Sequence, residues 1–176
     1  MNSMVQYSSG SKFFHWLIAI MVTFMLCFGF FLDDLPKAIQ PFAYMMHKSF
    51  GLTVLMLMVL RVIWIVKSGK PSLPNTVPFW EKAFSRIVQY SFYVLLFAMP
   101  LSGWIMSAAA DKTPVFFGLF KAPLPIAPNQ ALAKFMNQSH GVIAWVLIGL
   151  LVLHVAGAVK HYFWDKDRVL QSMLPN

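Results

Sequence analysis

Five histidines occur in the chain, His15, His47, His140, His154 and His161, and four of them fall inside, or just inside the ends of, long apolar runs. An ionisable side chain is costly in such a setting and needs a partner. A single one is satisfied by a hydroxyl or a backbone carbonyl on a neighbouring helix. Four at matched depths point elsewhere. His140 and His154 are fourteen residues apart, which at ~100° per residue returns to nearly the same helix face and at ~1.5 Å per residue separates them by about 21 Å. One helix can therefore present two ligands, one in each half of a bilayer. Neutral imidazole is a strong axial ligand for haem iron. Two imidazoles in trans leave no open coordination position, which favours electron transfer over oxygen binding.

The elements that must position these rings follow from composition. Of the 176 residues, 59% are hydrophobic and only 11% are charged, too apolar a balance for an ordinary soluble domain. Four runs reach spanning length: Phe13–Leu32, Tyr44–Val66, Phe84–Met106 and Ser139–Phe163. In lipid their backbone amides find partners only within a helix. The expected fold is all-α, a single membrane domain over residues 1–176 in which four helices form an up-down bundle. The first run is about as long as a full crossing of ~20 residues and no small-x-small cleavage pattern follows it, so it reads as a retained helix. The connection over residues 107–137 holds Pro114, Pro123, Pro125 and Pro128 among Phe116, Phe117, Leu119 and Phe120. It is long for a helical hairpin and is expected to lie on the outer surface as a lid.

Net charge is +8, but the cations sit in short connections between apolar runs and form no stripe on a soluble face, so nucleic acid is not the expected partner. Lys12, Arg61, Lys67, Lys70, Lys82, Arg86, Lys160, Lys166 and Arg168 would lie on the side of the termini, against Lys37, Lys48, Lys112, Lys121 and Lys134 on the other. The excess places both termini in the cytoplasm. On this topology His15 and His154 lie in the inner half, and His47 and His140 near the outer ends of their helices. Cys27 is the one cysteine, which excludes a disulfide framework and a CxxCH attachment site, so any haem is held non-covalently.

Other residues admit two readings. Gly51, Gly141 and Gly157 stand near the histidines, where a flat macrocycle would approach a helix, or they serve helix packing. Arg61 can snorkel, or bind a haem propionate or a lipid phosphate. His161, beside Lys160, Tyr162 and Trp164, is either solvated or close to a quinone head group. Met45, Met46, Met56 and Met58 could suggest a copper relay but read better as core filler. No GxSxG, HExxH, Walker or Rossmann pattern is present, and no residue is singled out as a catalytic acid, base or nucleophile.

The ordered set "FFHWLIA" with His15, "MMHKSFG" with His47, "SHG" with His140 and "LHVAGAVKHYFWDKD" with His154 resembles the bacterial di-haem cytochrome b561 family over essentially the whole chain. The resemblance implies two haem b groups with ligand pairs His15/His154 and His47/His140, the pairs that the topology gives independently. It also implies an oxidoreductase of the superoxide oxidase type, in which superoxide at the periplasmic face reduces the haems and ubiquinone takes the electrons. The outer lysines outweigh Asp33, Asp34 and Asp111, which would attract a small anion; alternatively they cap helices and bind lipid phosphate. Trp164, Tyr162, Lys82 and His161, with the connection Lys70 to Lys82, form a candidate quinone rim.

Membrane lipid, quinone and a small anionic one-electron donor are thus the expected partners, and no obligate protein partner is indicated. Two other functions compete. One is the cytochrome b subunit of a larger respiratory dehydrogenase or hydrogenase, which would need a docking area that short loops scarcely offer. The other is a metal-ion transporter lined by histidines, against which no acidic residue accompanies the buried histidines in any helix.

Overall fold

A computed structural model describes residues 6–69, 77–166 and 169–174 of the chain. Lys70 and Arg168, counted above among the basic residues, lie outside the described residues, as does most of the second connection. Four helices are long and apolar enough to cross a membrane: α1 (Ser9–Gly29), α2 (Gln40–Ser68), α3 (Phe79–Ala109) and α4 (Gln130–Lys160). The last continues into a π-helical turn, His161–Asp165. Successive helices pack side by side, α1 on α2, α2 on α3 and α3 on α4, and α1 meets α4 through side chains, Leu26 against Ala144 and Leu147 and Phe30 against Trp145.

Local chemistry explains where the helices begin. Ser8 caps α1, its hydroxyl accepting from the Ser11 amide at 3.3 Å. The same hydroxyl accepts from Trp64 Nε1 at 3.0 Å, so the start of α1 is fastened to the end of α2. Gly10 allows this crossing, because a Cβ there would collide with the Trp64 indole. Pro41 sits in the first turn of α2, where its missing amide proton costs nothing. The Gln40 side chain donates to the Asp33 and Leu35 carbonyls at 2.9 and 3.0 Å, closing the link from α1.

Several of the expected boundaries move outward, most of all in the last two helices. The third helix spans Phe79–Ala109 where the apolar run suggested 84–106, and the fourth begins at Gln130 where 139 was expected. The connection is accordingly 110–129, shorter than the expected 107–137. The cause is length: α3 and α4 have 31 residues each, or about 46 Å of helix, against a hydrocarbon layer of ~30 Å. Their polar turns continue beyond the lipid, and hydropathy does not register them. Asn129 sets the start of α4, its side-chain oxygen accepting from the Leu132 amide at 3.0 Å.

The connection itself contains a hairpin, β1 (Val115–Phe116) and β2 (Phe120–Lys121), in the register Val115↔Lys121 and Phe116↔Phe120. Its turn has Phe117 at φ 46° and Gly118 at φ 77°, left-handed conformations that glycine adopts without strain. The hairpin folds back on α2. Ser49, fully buried, accepts from the Phe117 amide at 2.8 Å while its own proton reaches the Met45 carbonyl at 2.8 Å. Phe50 packs edge-on against Phe117. This end of the bundle is called the hairpin end below, and the opposite one the terminal end.

The tightly packed interior is small. Ile18, Val54 and Met58 form one cluster, and Leu26, Ala144 and Leu147 another. Many large side chains, among them Phe24, Trp145, Val142 and Val152, face outward instead. That distribution is stable where the surroundings are lipid, since burying such groups against protein then gains little.

Candidate functional site

The four histidines meet in two pairs. His15 of α1 and His154 of α4 have ring centroids 6.1 Å apart with planes crossing at 67°. His47 of α2 and His140 of α4 are 6.4 Å apart with planes crossing at 70°. An imidazole nitrogen bonds a transition metal at about 2.0 Å and the ring centre lies ~1.1 Å behind it, so two rings on opposite sides of one ion stand about 6.2 Å apart. Both pairs have that separation. His161 belongs to neither.

At the hairpin end the pair borders a cavity of about 320 Å³ that all four helices line, with Gly29, His47, Gly51, Gly103, His140 and Gly141 in its wall. Interiors close-pack and hold few voids larger than a water molecule, so a space in the range of small-molecule pockets is no packing defect. Cβ atoms added at Gly51 and Gly141 would meet nothing within 4 Å; they would enter open space, as expected of a cradle for a flat group. Gly157, although likewise unobstructed, is not part of this wall. The closest approaches to the rings come from two glycines that sequence reasoning missed. A Cβ at Gly103 would stand 3.1 Å from His140 Cε1, and one at Gly29 3.4 Å from His47 Cε1.

His140 is held by a further residue that sequence reasoning missed. Ser102, buried on α3, lies with its Oγ 2.9 Å from His140 Nδ1 and donates to the Met99 carbonyl at 2.8 Å. A hydroxyl has one proton, so with that proton on Met99 the oxygen accepts the His140 Nδ1–H, which leaves the Nε2 lone pair free as a ligand. His47 Nδ1 is buried without a hydrogen-bond partner.

At the terminal end the surroundings differ. Arg61 Nη1 lies 3.2 Å from His15 Nδ1. Trp16 stands edge-on to His15 and Phe92 edge-on to His154, at 5.5 and 5.6 Å. His154 is exposed. No carboxylate is among the electrostatic neighbours of the four rings among the described residues. Neutral nitrogen donors with no anionic oxygen fit iron held in a porphyrin better than a hard cation.

The candidate quinone rim is only partly gathered. His161 Nδ1 lies 3.1 Å from Asp165 Oδ2 within the π-helical turn. Lys160 joins Asp165 to Glu81 of α3, at 2.8 and 2.9 Å. Glu81, His161 and Asp165 have ligand atoms within 4.8 Å of one another, but the Lys160 ammonium already supplies their counter-charge. Trp164 and Tyr162 are exposed, and Lys82 follows Glu81 in the first turn of α3. Cys27 is exposed on α1, and Met58 is fully buried in the core.

Comparison with known proteins agrees with this architecture. The family described as "Prokaryotic cytochrome b561" matches residues 6–176. "Cytochrome b561 homolog 2" of Escherichia coli (strain K12) is 37% identical over 181 residues, covering 98% of this chain and 93% of the relative. "Cytochrome b561 homolog 1" of the same organism is 27% identical, covering 98% of each. "Probable superoxide oxidase CybB" of Yersinia pestis is 25% identical, covering 92% of this chain and 91% of the relative.

Proposed function

The chain belongs to the prokaryotic cytochrome b561 family, whose members are membrane proteins that bind b-type haem and transfer electrons, and on that premise we propose that it is a di-haem superoxide:quinone oxidoreductase. The observation that carries the reading is the meeting of four imidazoles in two pairs, 6.1 and 6.4 Å apart, on helices that span the membrane. In this reading His15 and His154 hold one haem b, and His47 and His140 the other. A haem held by such a pair would supply one-electron transfer, with both imidazoles of the pair kept as ligands.

The protein's own part is positional. Because α4 carries one ligand of each pair, the separation along the bundle is fixed by one rigid element, about 21 Å between the two residues. Ser102 orients His140 by the hydrogen bond described above. The hairpin is fastened to α2 by Ser49 and by Lys48, which donates to the Lys112 carbonyl at 3.1 Å, and Pro114 just before it lines the cavity.

In the proposed orientation the hairpin end is periplasmic and both termini are cytoplasmic. Lys37, Lys48, Lys112, Lys121 and Lys134 share the outer end with Asp33, Asp34 and Asp111, and the cationic excess would raise the encounter rate of a small anion. The relative called a probable superoxide oxidase supports superoxide as that anion. Two superoxide ions release two electrons and leave as dioxygen, and ubiquinone takes both electrons with two protons to become quinol. Trp164, Tyr162, Lys82 and His161 are the proposed quinone contacts, because they combine aromatic faces with hydrogen-bonding groups at the terminal end.

Stopped-flow mixing of the purified protein with a superoxide source and a soluble ubiquinone tests this reading. The expected result is reduction of the haem bands followed by quinol formation at half the superoxide consumed. Haem bands that superoxide leaves oxidised, while a chemical reductant reduces them, would overturn the assignment of donor.

A further inference from the structure

A neutral imidazole has one proton and one nitrogen lone pair. Arg61, which can only donate, lies with Nη1 3.2 Å from His15 Nδ1 and so uses that lone pair. Iron coordination by His15 needs the same lone pair, whichever nitrogen binds. The two partnerships exclude one another, and when His15 ligates a metal the guanidinium must find a different acceptor.

Few are within reach. Tyr7, which neighbours Arg61, keeps its proton because burial raises its pKa, and its hydrogen-bond partner Gln89 carries no charge. Glu81 and Asp165 are the acidic residues of the terminal end among the described residues, and Lys160 holds both. The remaining described carboxylates, Asp33, Asp34 and Asp111, are at the hairpin end. Arg61 is also an electrostatic neighbour of His154 as well as of His15, so it stands by the gap between the two rings. A charge inside an apolar bundle requires a counter-charge, and a planar group entering that gap would bring one if it carried carboxylates at its rim.

We infer that Arg61 is the anchor for a haem propionate at the His15/His154 site, released from His15 as the imidazole takes up iron. The inference rests on the reading of His15 and His154 as haem ligands. The outer pair has no counterpart, because Lys48 donates to a backbone carbonyl, which ligation of His47 leaves undisturbed.

The test compares the wild type with Arg61→Gln and Arg61→Lys, purified in maltoside detergent without phosphate or added lipid. Transfer of haem to excess apomyoglobin and a spectroelectrochemical titration are both measured, and His15→Ala identifies which bands belong to the inner haem. For Arg61→Gln the inner haem should leave about tenfold faster, as expected for loss of a charge-assisted hydrogen bond. Its midpoint potential should fall, since an uncompensated carboxylate stabilises ferric iron, while the outer haem stays as it was. Arg61→Lys, keeping the charge without the planar fork, should fall between, and it carries the test if the glutamine variant fails to accumulate. Wild-type loss rates and potentials in the variants would overturn the inference and leave Arg61 to lipid phosphate or packing. A wild-type protein without haem would instead remove the reading on which the inference stands.

Discussion

Replacing Ser102 by alanine should weaken one haem and leave the other unchanged. Ser102 is 6% exposed, and its oxygen lies between His140 Nδ1 at 2.9 Å and the Met99 carbonyl at 2.8 Å. Alanine removes the hydroxyl and leaves the His140 N–H only the neighbouring Met99 carbonyl as acceptor, so the ring loses one hydrogen bond, worth ~0.5–1.5 kcal/mol. If that cost falls on the ligated state, it corresponds to roughly 2- to 13-fold weaker haem binding, at the low end of the ~10- to 100-fold effects of outer-shell partners of metal-bound histidines. The imidazole also loses electron density when its proton is shared less strongly, so the midpoint potential of the outer haem should rise. Haem transfer to apomyoglobin gives the first quantity and a redox titration the second. Ser102→Thr, which retains the hydroxyl, should stay close to wild type in both. Wild-type loss rate and potential in Ser102→Ala would refute the claim that this hydroxyl holds the ring.

Three further outcomes follow from the same geometry. Gly51→Phe should fold, because a side chain there enters open space, yet it should occupy the cavity and reduce the haem content from two to one, as read by pyridine haemochrome assay. The ring planes of each pair cross at 67° and 70°, so the oxidised protein should give strongly anisotropic low-spin electron paramagnetic resonance signals and not the rhombic spectrum of parallel imidazoles. Ser49→Ala should free the hairpin, since the Phe117 amide loses its acceptor at a cost of ~1–3 kcal/mol; faster proteolysis after Lys121 with both haems retained is the expected reading.

The spans and the histidines were legible in the sequence for one reason: in lipid an imidazole is expensive, so its position stands out against an apolar background. The fourteen-residue spacing on α4 put two rings on one face before any partner was known, and the structure brings His15 and His47 to them. Ser102, Gly29 and Gly103 were not legible, because small residues are ordinary in membrane helices and only the crossing of α1 and α3 past the rings gives them meaning. Gly51 and Gly141 were singled out for their nearness to histidine, and the open space beside them suits that reading. The start of α4 at Gln130 escaped because its first turns are polar, and hydropathy marks where a helix meets lipid, not where its hydrogen bonds begin. The hairpin over 115–121 escaped as well, its strands of two residues each being too short to show a period.

The central claim is that the four rings act as two ligand pairs, and single alanine replacements of each histidine, followed by low-temperature spectra of the reduced protein, test it most directly. His15→Ala and His154→Ala should lose the same α-band, His47→Ala and His140→Ala should lose the other, and each variant should retain about half the haem. Four variants that all keep two haems, or losses that couple His15 with His140, would contradict it.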